Sequence, residues 1–206
     1  MLLTGLLLVS GLAIVAVEAF GYIPGGYNAA FWNLPLDDKL DHVSRNTRAW
    51  WWISLWELVG LVLLTGGVFG LATLVAEAGE SVVANVALGI YLASVVLWLV
   101  GSLIQASAVP QAAQQRLDTG ETPPWIHPLW SAGWVSEVAW IMGSNAAYAI
   151  MGFALLQTDL LASWAGWTAL AGGVVIAAVV GITRNGFPQL ALLVPAAVGV
   201  AVLLAA

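Results

Sequence analysis

Two carboxylates are the strongest chemical signal in this chain. Glu57 falls nine residues after Arg48, and Glu137 falls nine residues after Pro128. Both stand in long apolar runs that read as helices. Helices starting at Arg48 and Pro128 would carry both acids about 13 Å along their axes, at matching depth. An ionised carboxylate in an apolar medium is costly unless it is paired. Acids inside membrane spans therefore mark ligand, ion or proton sites by default. The plainer reading is a glutamic acid hydrogen-bonded across a helix interface as packing glue.

The neighbours of these acids fall into stripes. Trp130, Trp134, Glu137, Ser144, Asn145 and Tyr148 share roughly one helical face, as do Trp50, Ser54, Glu57 and Gly60. A third stripe runs through Tyr91, Ser94, Trp98, Ser102 and Gln105. Three polar and aromatic faces of this kind predict one cleft opening toward the cytoplasm. Its expected ligand-binding or proton-binding residues are Glu57, Glu137, Trp56, Trp98, Trp134 and Tyr148. Aromatic rings would supply contact area there, and the acids would orient a polar or cationic group.

The segment 36–45 offers a different chemistry. Asp38, Asp41 and His42 stand at i, i+3 and i+4, so a short helix would group them, and His127 is placed on the same membrane side. Carboxylates with imidazole can ligate a divalent metal. A mixed-charge amphipathic segment lying at the interface explains the same residues, and is the preferred reading. The chain has no cysteine and only two histidines, which excludes disulfides, thiolate metal sites and a haem pair needing four histidines. No metalloprotease, nucleophile-elbow or phosphate-loop motif occurs, and no cofactor is expected.

These residues must be positioned by membrane helices. The chain is 61% hydrophobic and 8% charged, with mean hydropathy +0.95, whereas soluble domains carry about 25% charged residues. Apolar runs predict six spans, at about 2–22, 48–76, 82–108, 128–156, 161–182 and 187–205, in a single domain covering 1–206. Breakers separate them: 21–26, the Gly79-Glu80-Ser81 turn, Pro110 with a polar stretch to Pro124, 157–159, and 184–188. Glu18 is placed near the first breaker, at an interface. Residues 24–47 form a mixed-charge loop.

All five basic residues, Lys39, Arg45, Arg48, Arg116 and Arg184, fall on one side of this model. The positive-inside rule makes that side cytoplasmic and both termini extracytoplasmic, in the plasma membrane. The net charge of −6 argues against a nucleic-acid partner. Trp50, Trp51, Trp52, Trp125 and Trp130 suit a cytoplasmic aromatic belt, and Trp164 and Trp167 the outer one. Small residues four apart, at Gly66/Gly70, Ala139/Gly143/Ala147 and Ala165/Ala169/Gly173, predict close helix packing or, as the lesser reading, a homo-oligomer or partner face.

Two resemblances follow from particular residues. The six-helix spacing, the Trp-rich second span and Leu161-Ala162-Ser163-Trp164-Ala165-Gly166-Trp167 opening the fifth resemble six-helix membrane families of unknown function from bacteria and haloarchaea. That resemblance implies a fold and no activity. Pro123-Pro124-Trp125-Ile126-His127-Pro128-Leu129-Trp130 is similar to a stretch of the tryptophan-rich sensory (translocator) proteins, over about thirty residues. Those have five helices and bind porphyrins and other hydrophobic ligands, so the local similarity is an analogy. The sequence thus predicts an all-α polytopic bundle that binds a small hydrophobic or amphipathic ligand, or a partner subunit, without catalysis. Its rivals are a proton-coupled transporter using Glu57 and Glu137, and a lipid-active enzyme using Asp38, Asp41, His42 and His127.

Overall fold

The computed structural model describes residues 1–19, 31, 33–184 and 192–206. Among them every regular element is helical. The Glu18 side chain, the breaker at 21–26, most of the 24–47 loop before Asn33, and residues 185–191 lie outside this description.

Helix α1 (Leu2–Ala19) is followed by the short α2 (Leu36–Arg45) and the long α3 (Thr47–Val75). Then come α4 (Ser81–Leu103), α5 (Val109–Thr119), α6 (Ile126–Leu156), α7 (Ser163–Trp167), α8 (Gly173–Thr183) and α9 (Leu193–Leu204). A tight turn at Ala76–Glu80 joins α3 to α4, and single π-turns join α4 to α5 and α7 to α8. Three helical stretches are long and apolar enough to cross a membrane: Thr47–Thr119, Ile126–Leu156 and Ser163–Thr183. The first is folded on itself at Gly79, whose φ of +112° lies in the region that favours glycine. α1 and α9 are shorter apolar helices.

Neighbouring helices run antiparallel, with glycines at the closest approaches. A Cβ on Gly11 would stand 2.6 Å from the Leu64 amide nitrogen, so α1 lies backbone to backbone on α3. Gly143 of α6 meets Ser94 of α4, and Gly152 of α6 meets the Leu170 backbone. Gly5 of α1 faces Leu203 of α9, which brings the two chain ends together. Packing therefore runs from α9 to α1, α3, α4, α6 and the α7–α8 stretch, which touches α9 again. Gly70, Gly143, Ala165, Ala169 and Gly173, expected at close contacts, make them inside this chain.

The third predicted span was expected to stop near Pro110, with a loop to Pro124. Instead helix continues to Thr119. Proline lacks an N–H and collides with the carbonyl four residues earlier in a regular helix. The π-turn at Ile104–Ala108 avoids that collision, and the Val109 N–H donates to the Ile104 carbonyl. Pro110 then sits in the first turn of α5, where a missing N–H is harmless.

That adjustment leaves the Gln105 carbonyl without a backbone donor, because its partner in the π register would be Pro110. The indole N–H of Trp50 donates to it at 2.9 Å. Trp50 is fully buried, so it is not an interfacial anchor as its position beside Trp51 and Trp52 suggested. Around it Phe31, Leu40, Val43, Ile53, Val109, Ala112 and Ile126 form a compact apolar cluster. A polar clasp holds α2 on α5: Arg116 Nε donates to Asp41 at 2.7 Å, Arg116 Nη1 to Thr122 at 2.8 Å, and the Thr122 hydroxyl to Asp37 at 2.7 Å. The hydrogen bond from Arg116 holds the Asp41 carboxyl below the usual carboxylate range.

Candidate functional site

Three helices build the site, with α4 as its floor and α3 and α6 as walls. Both walls lie against α4 and scarcely touch each other. Trp98 and Ser102 are one turn apart on α4, so their side chains point the same way. Both donate to one atom, Glu57 Oε1 on α3: the Trp98 indole N–H at 2.6 Å and the Ser102 hydroxyl at 2.9 Å. The Trp98 ring is in turn stacked on Trp140 of α6, with centroids 3.9 Å apart and planes tilted by 33°. Glu57 is thereby held by two donors from α4, one of them backed by α6.

Glu137 is nearly one turn before Trp140 on α6, within electrostatic reach of Glu57. Among the described residues no donor reaches its carboxyl, nor Glu57 Oε2. Both acids are half-buried. The Trp140 indole N–H is buried without a protein acceptor. The site therefore holds three carboxylate oxygens with no donor among the described residues, beside the stacked Trp98 and Trp140 rings. Such a set suits a group with several N–H donors and positive charge, held by carboxylates and by indole faces.

Deeper along the same seam the polar groups have few partners. The Tyr91 and Tyr148 rings meet edge to face at 6.2 Å, and both hydroxyls are buried without a hydrogen bond. Thr65 Oγ1 lies close to the Tyr91 hydroxyl but outside hydrogen-bonding geometry, and Asn145 Oδ1 is also unpartnered. A cavity of only about 10 Å³ lies between Val68, Leu71, Ala87, Tyr91, Ala147, Tyr148 and Met151. That is about the room one water needs.

Of the residues expected to line the cleft, Glu57, Glu137 and Trp98 come together. Trp134 is half-buried one turn before Glu137, and Tyr148 closes the seam farther along. Trp56 does not join them; it is 45% exposed on the outer face of α3. Successive helical residues point about 100° apart, so Trp56 and Glu57 cannot face one cleft together. Ser102, from the predicted α4 stripe, and Trp140, a deep tryptophan able to line a cavity, also belong to the site, although neither was among the six residues expected to bind. At the α2 end of the seam, Trp50 and Ile126 pack with Leu40 and Val43 of α2 in one apolar cluster.

The metal reading meets a similar correction. α2 does place Asp38, Asp41 and His42 on adjacent turns. Arg116 occupies Asp41, His42 packs on the Phe31 ring at 5.4 Å, and Asp38 and His127 are exposed. Among the described residues no three His, Asp or Glu side chains are placed to hold a metal ion. The lipid-active enzyme built on the same four residues loses its constellation. No family model, curated protein or solved structure matches this chain.

Proposed function

We propose that the chain is a six-span membrane protein that binds a small amphipathic cation in the groove between α3, α4 and α6. Its termini are extracytoplasmic. Support for six spans comes from helices that alternate in direction around the bundle, with α1 and α9 as the short outer pair. Lys39, Arg45, Arg48 and Arg116 fall on or beside α2, the start of α3 and α5, and Arg184 ends α8, all away from the joined chain ends, and the positive-inside rule makes their end cytoplasmic.

One observation carries the ligand reading: Glu57 is tied down by Trp98 and Ser102, whereas Glu137 beside it accepts nothing. Packing glue would satisfy both acids, since an unpaired charge in an apolar medium is costly. A pre-set carboxylate and a free one, over stacked indoles, instead fit an ammonium head whose alkyl tail leaves sideways into lipid. No partner subunit is needed to complete this set.

The test uses the full chain in lipid nanodiscs and two probes of equal length, a long-chain primary amine and the matching alcohol. Tryptophan fluorescence reports binding through Trp98 and Trp140. The amine should bind, and Glu137→Gln should weaken it by about 10- to 100-fold, the size of a charge-assisted hydrogen bond. Glu57→Gln keeps an acceptor for Trp98 and Ser102, so it should weaken binding while leaving the fold intact. Equal binding of the alcohol would refute a cation site. Amine-independent proton flux in vesicles, lost in both Gln variants, would instead favour proton-coupled transport.

A further inference from the structure

A second binding surface lies on the opposite side of α3 from the acids. An open groove of about 520 Å³ is lined by Arg45, Asn46, Thr47, Arg48, Ala49, Trp52 and Trp56. It holds two of the five cations in a chain whose net charge is −6. The remaining cations near this end are engaged or tucked in: Arg116 in the clasp with Asp37 and Asp41, and Lys39 over the rings of Phe31 and Trp130.

Neither Arg45 nor Arg48 forms an ion pair among the described residues, although Asp41 stands within electrostatic reach of Arg45. Arg45 uses only its Nε, on the Asp41 backbone carbonyl at 3.1 Å, and Arg48 makes no ion pair. No acidic side chain lines the groove. Arg48, Trp52 and Trp56 are successive at four-residue steps, so they form one exposed stripe about 12 Å long. Trp52 is 43% and Trp56 45% exposed. The stripe is therefore cationic at one end and apolar along the rest.

We propose that this groove is a binding site for an anionic phospholipid. Its phosphate would take the two guanidiniums, which match phosphate oxygens in paired hydrogen bonds. An acyl chain would lie along the indoles of Trp52 and Trp56. A zwitterionic headgroup adds a positive charge beside two arginines and is disfavoured. A free phosphate would use the arginines but gain nothing from the indoles. This also gives Trp56 a role that the acid groove does not. The site rests on membrane insertion and is independent of the amine site.

The experiment compares the full chain in nanodiscs of phosphatidylcholine with and without a minority of phosphatidylglycerol carrying brominated acyl chains. Bromine quenches nearby indoles, and the Trp52→Phe/Trp56→Phe variant defines the signal from this groove. Brominated phosphatidylglycerol should quench Trp52 and Trp56 more than brominated phosphatidylcholine at the same fraction. Arg45→Ala/Arg48→Ala should weaken that preference by about 10- to 30-fold. Both arginines are exposed, so the variant keeps its packing, and unchanged amine binding would confirm this. Equal quenching by the two lipids overturns the proposal. So does full displacement by millimolar inorganic phosphate, which would leave a bare anion site, or by an acidic peptide, which would make it a protein-docking site. Retained preference in Arg45→Lys/Arg48→Lys supports charge recognition; its loss there supports the paired guanidinium geometry.

Discussion

The two halves of the α3–α4–α6 seam treat their polar groups in opposite ways. Toward α2, most polar groups buried near the groove floor have a partner, the Gln105 side-chain oxygen and the Lys39 amine being the exceptions. Trp50 fills the Gln105 carbonyl, Trp98 and Ser102 fill Glu57, and Arg116 joins Asp37, Asp41 and Thr122. Past Trp140 the pattern reverses, and Trp140 Nε1, Asn145 Oδ1 and the hydroxyls of Thr65, Tyr91 and Tyr148 stand unpartnered. Satisfied polar networks fix one geometry, whereas orphaned groups add no such constraint. The first half is thus built as a rigid frame, and Glu137 stands at the boundary where that satisfaction ends.

Removing a donor from the rigid half should have the largest effect. Trp50→Phe keeps the ring packing but strips the indole donor from the Gln105 carbonyl. It should cost about 1–3 kcal/mol, read from unfolding in mixed micelles. Pro110→Ala in that background restores a backbone N–H and should recover part of the loss. A Trp50→Phe variant as stable as the parent would mean that the π-turn carbonyl needs no partner, and the contrast between the halves would collapse.

A smaller effect is expected at the rim of the same half, where Lys39 is buried but has no acid partner. Burial holds its amine below the usual 10.5. The charged form is then disfavoured by folding, so stability should rise as pH climbs from the folded value toward 10.5. The rings of Phe31 and Trp130, 5.8 and 5.1 Å from the ammonium, offset part of that penalty. Lys39→Met should flatten the alkaline rise and lift the neutral-pH Tm by at most about 2 °C. A fall in Tm would show that the aromatic contacts outweigh the burial.

The smallest effect belongs to the other half. Tyr148→Phe removes a hydroxyl that has no protein partner, so stability should change by less than about 0.5 kcal/mol in either direction. A loss as large as that of Trp50→Phe would place a tightly held bridging group between the tyrosines, and the seam would be satisfied throughout.

Much of this was legible in advance, and the failures have physical causes. The equal depth of Glu57 and Glu137 follows from counting along two helices, and the α4 partners of Glu57 sat on one predicted stripe. Trp56 was misassigned by adjacency to Glu57, although the helical period already turned it away. The continuation past Pro110 was hidden because a proline before polar residues reads as a stop; only the π-turn removes the clash. The Arg116–Asp41 clasp joins residues 75 positions apart. No local pattern encodes such a pairing, so the docking of α2 on α5 was not legible.

The reversal at Gly79 bears on how the contacts of Glu57 form. Nothing stands within 4 Å of a Cβ placed on this glycine, and α3 passes to α4 through a tight turn of five residues, Ala76–Glu80. So short a tether keeps Glu57 on α3 at high effective concentration toward Trp98 and Ser102 on α4, so their two hydrogen bonds form within one hairpin and need no other helix in place.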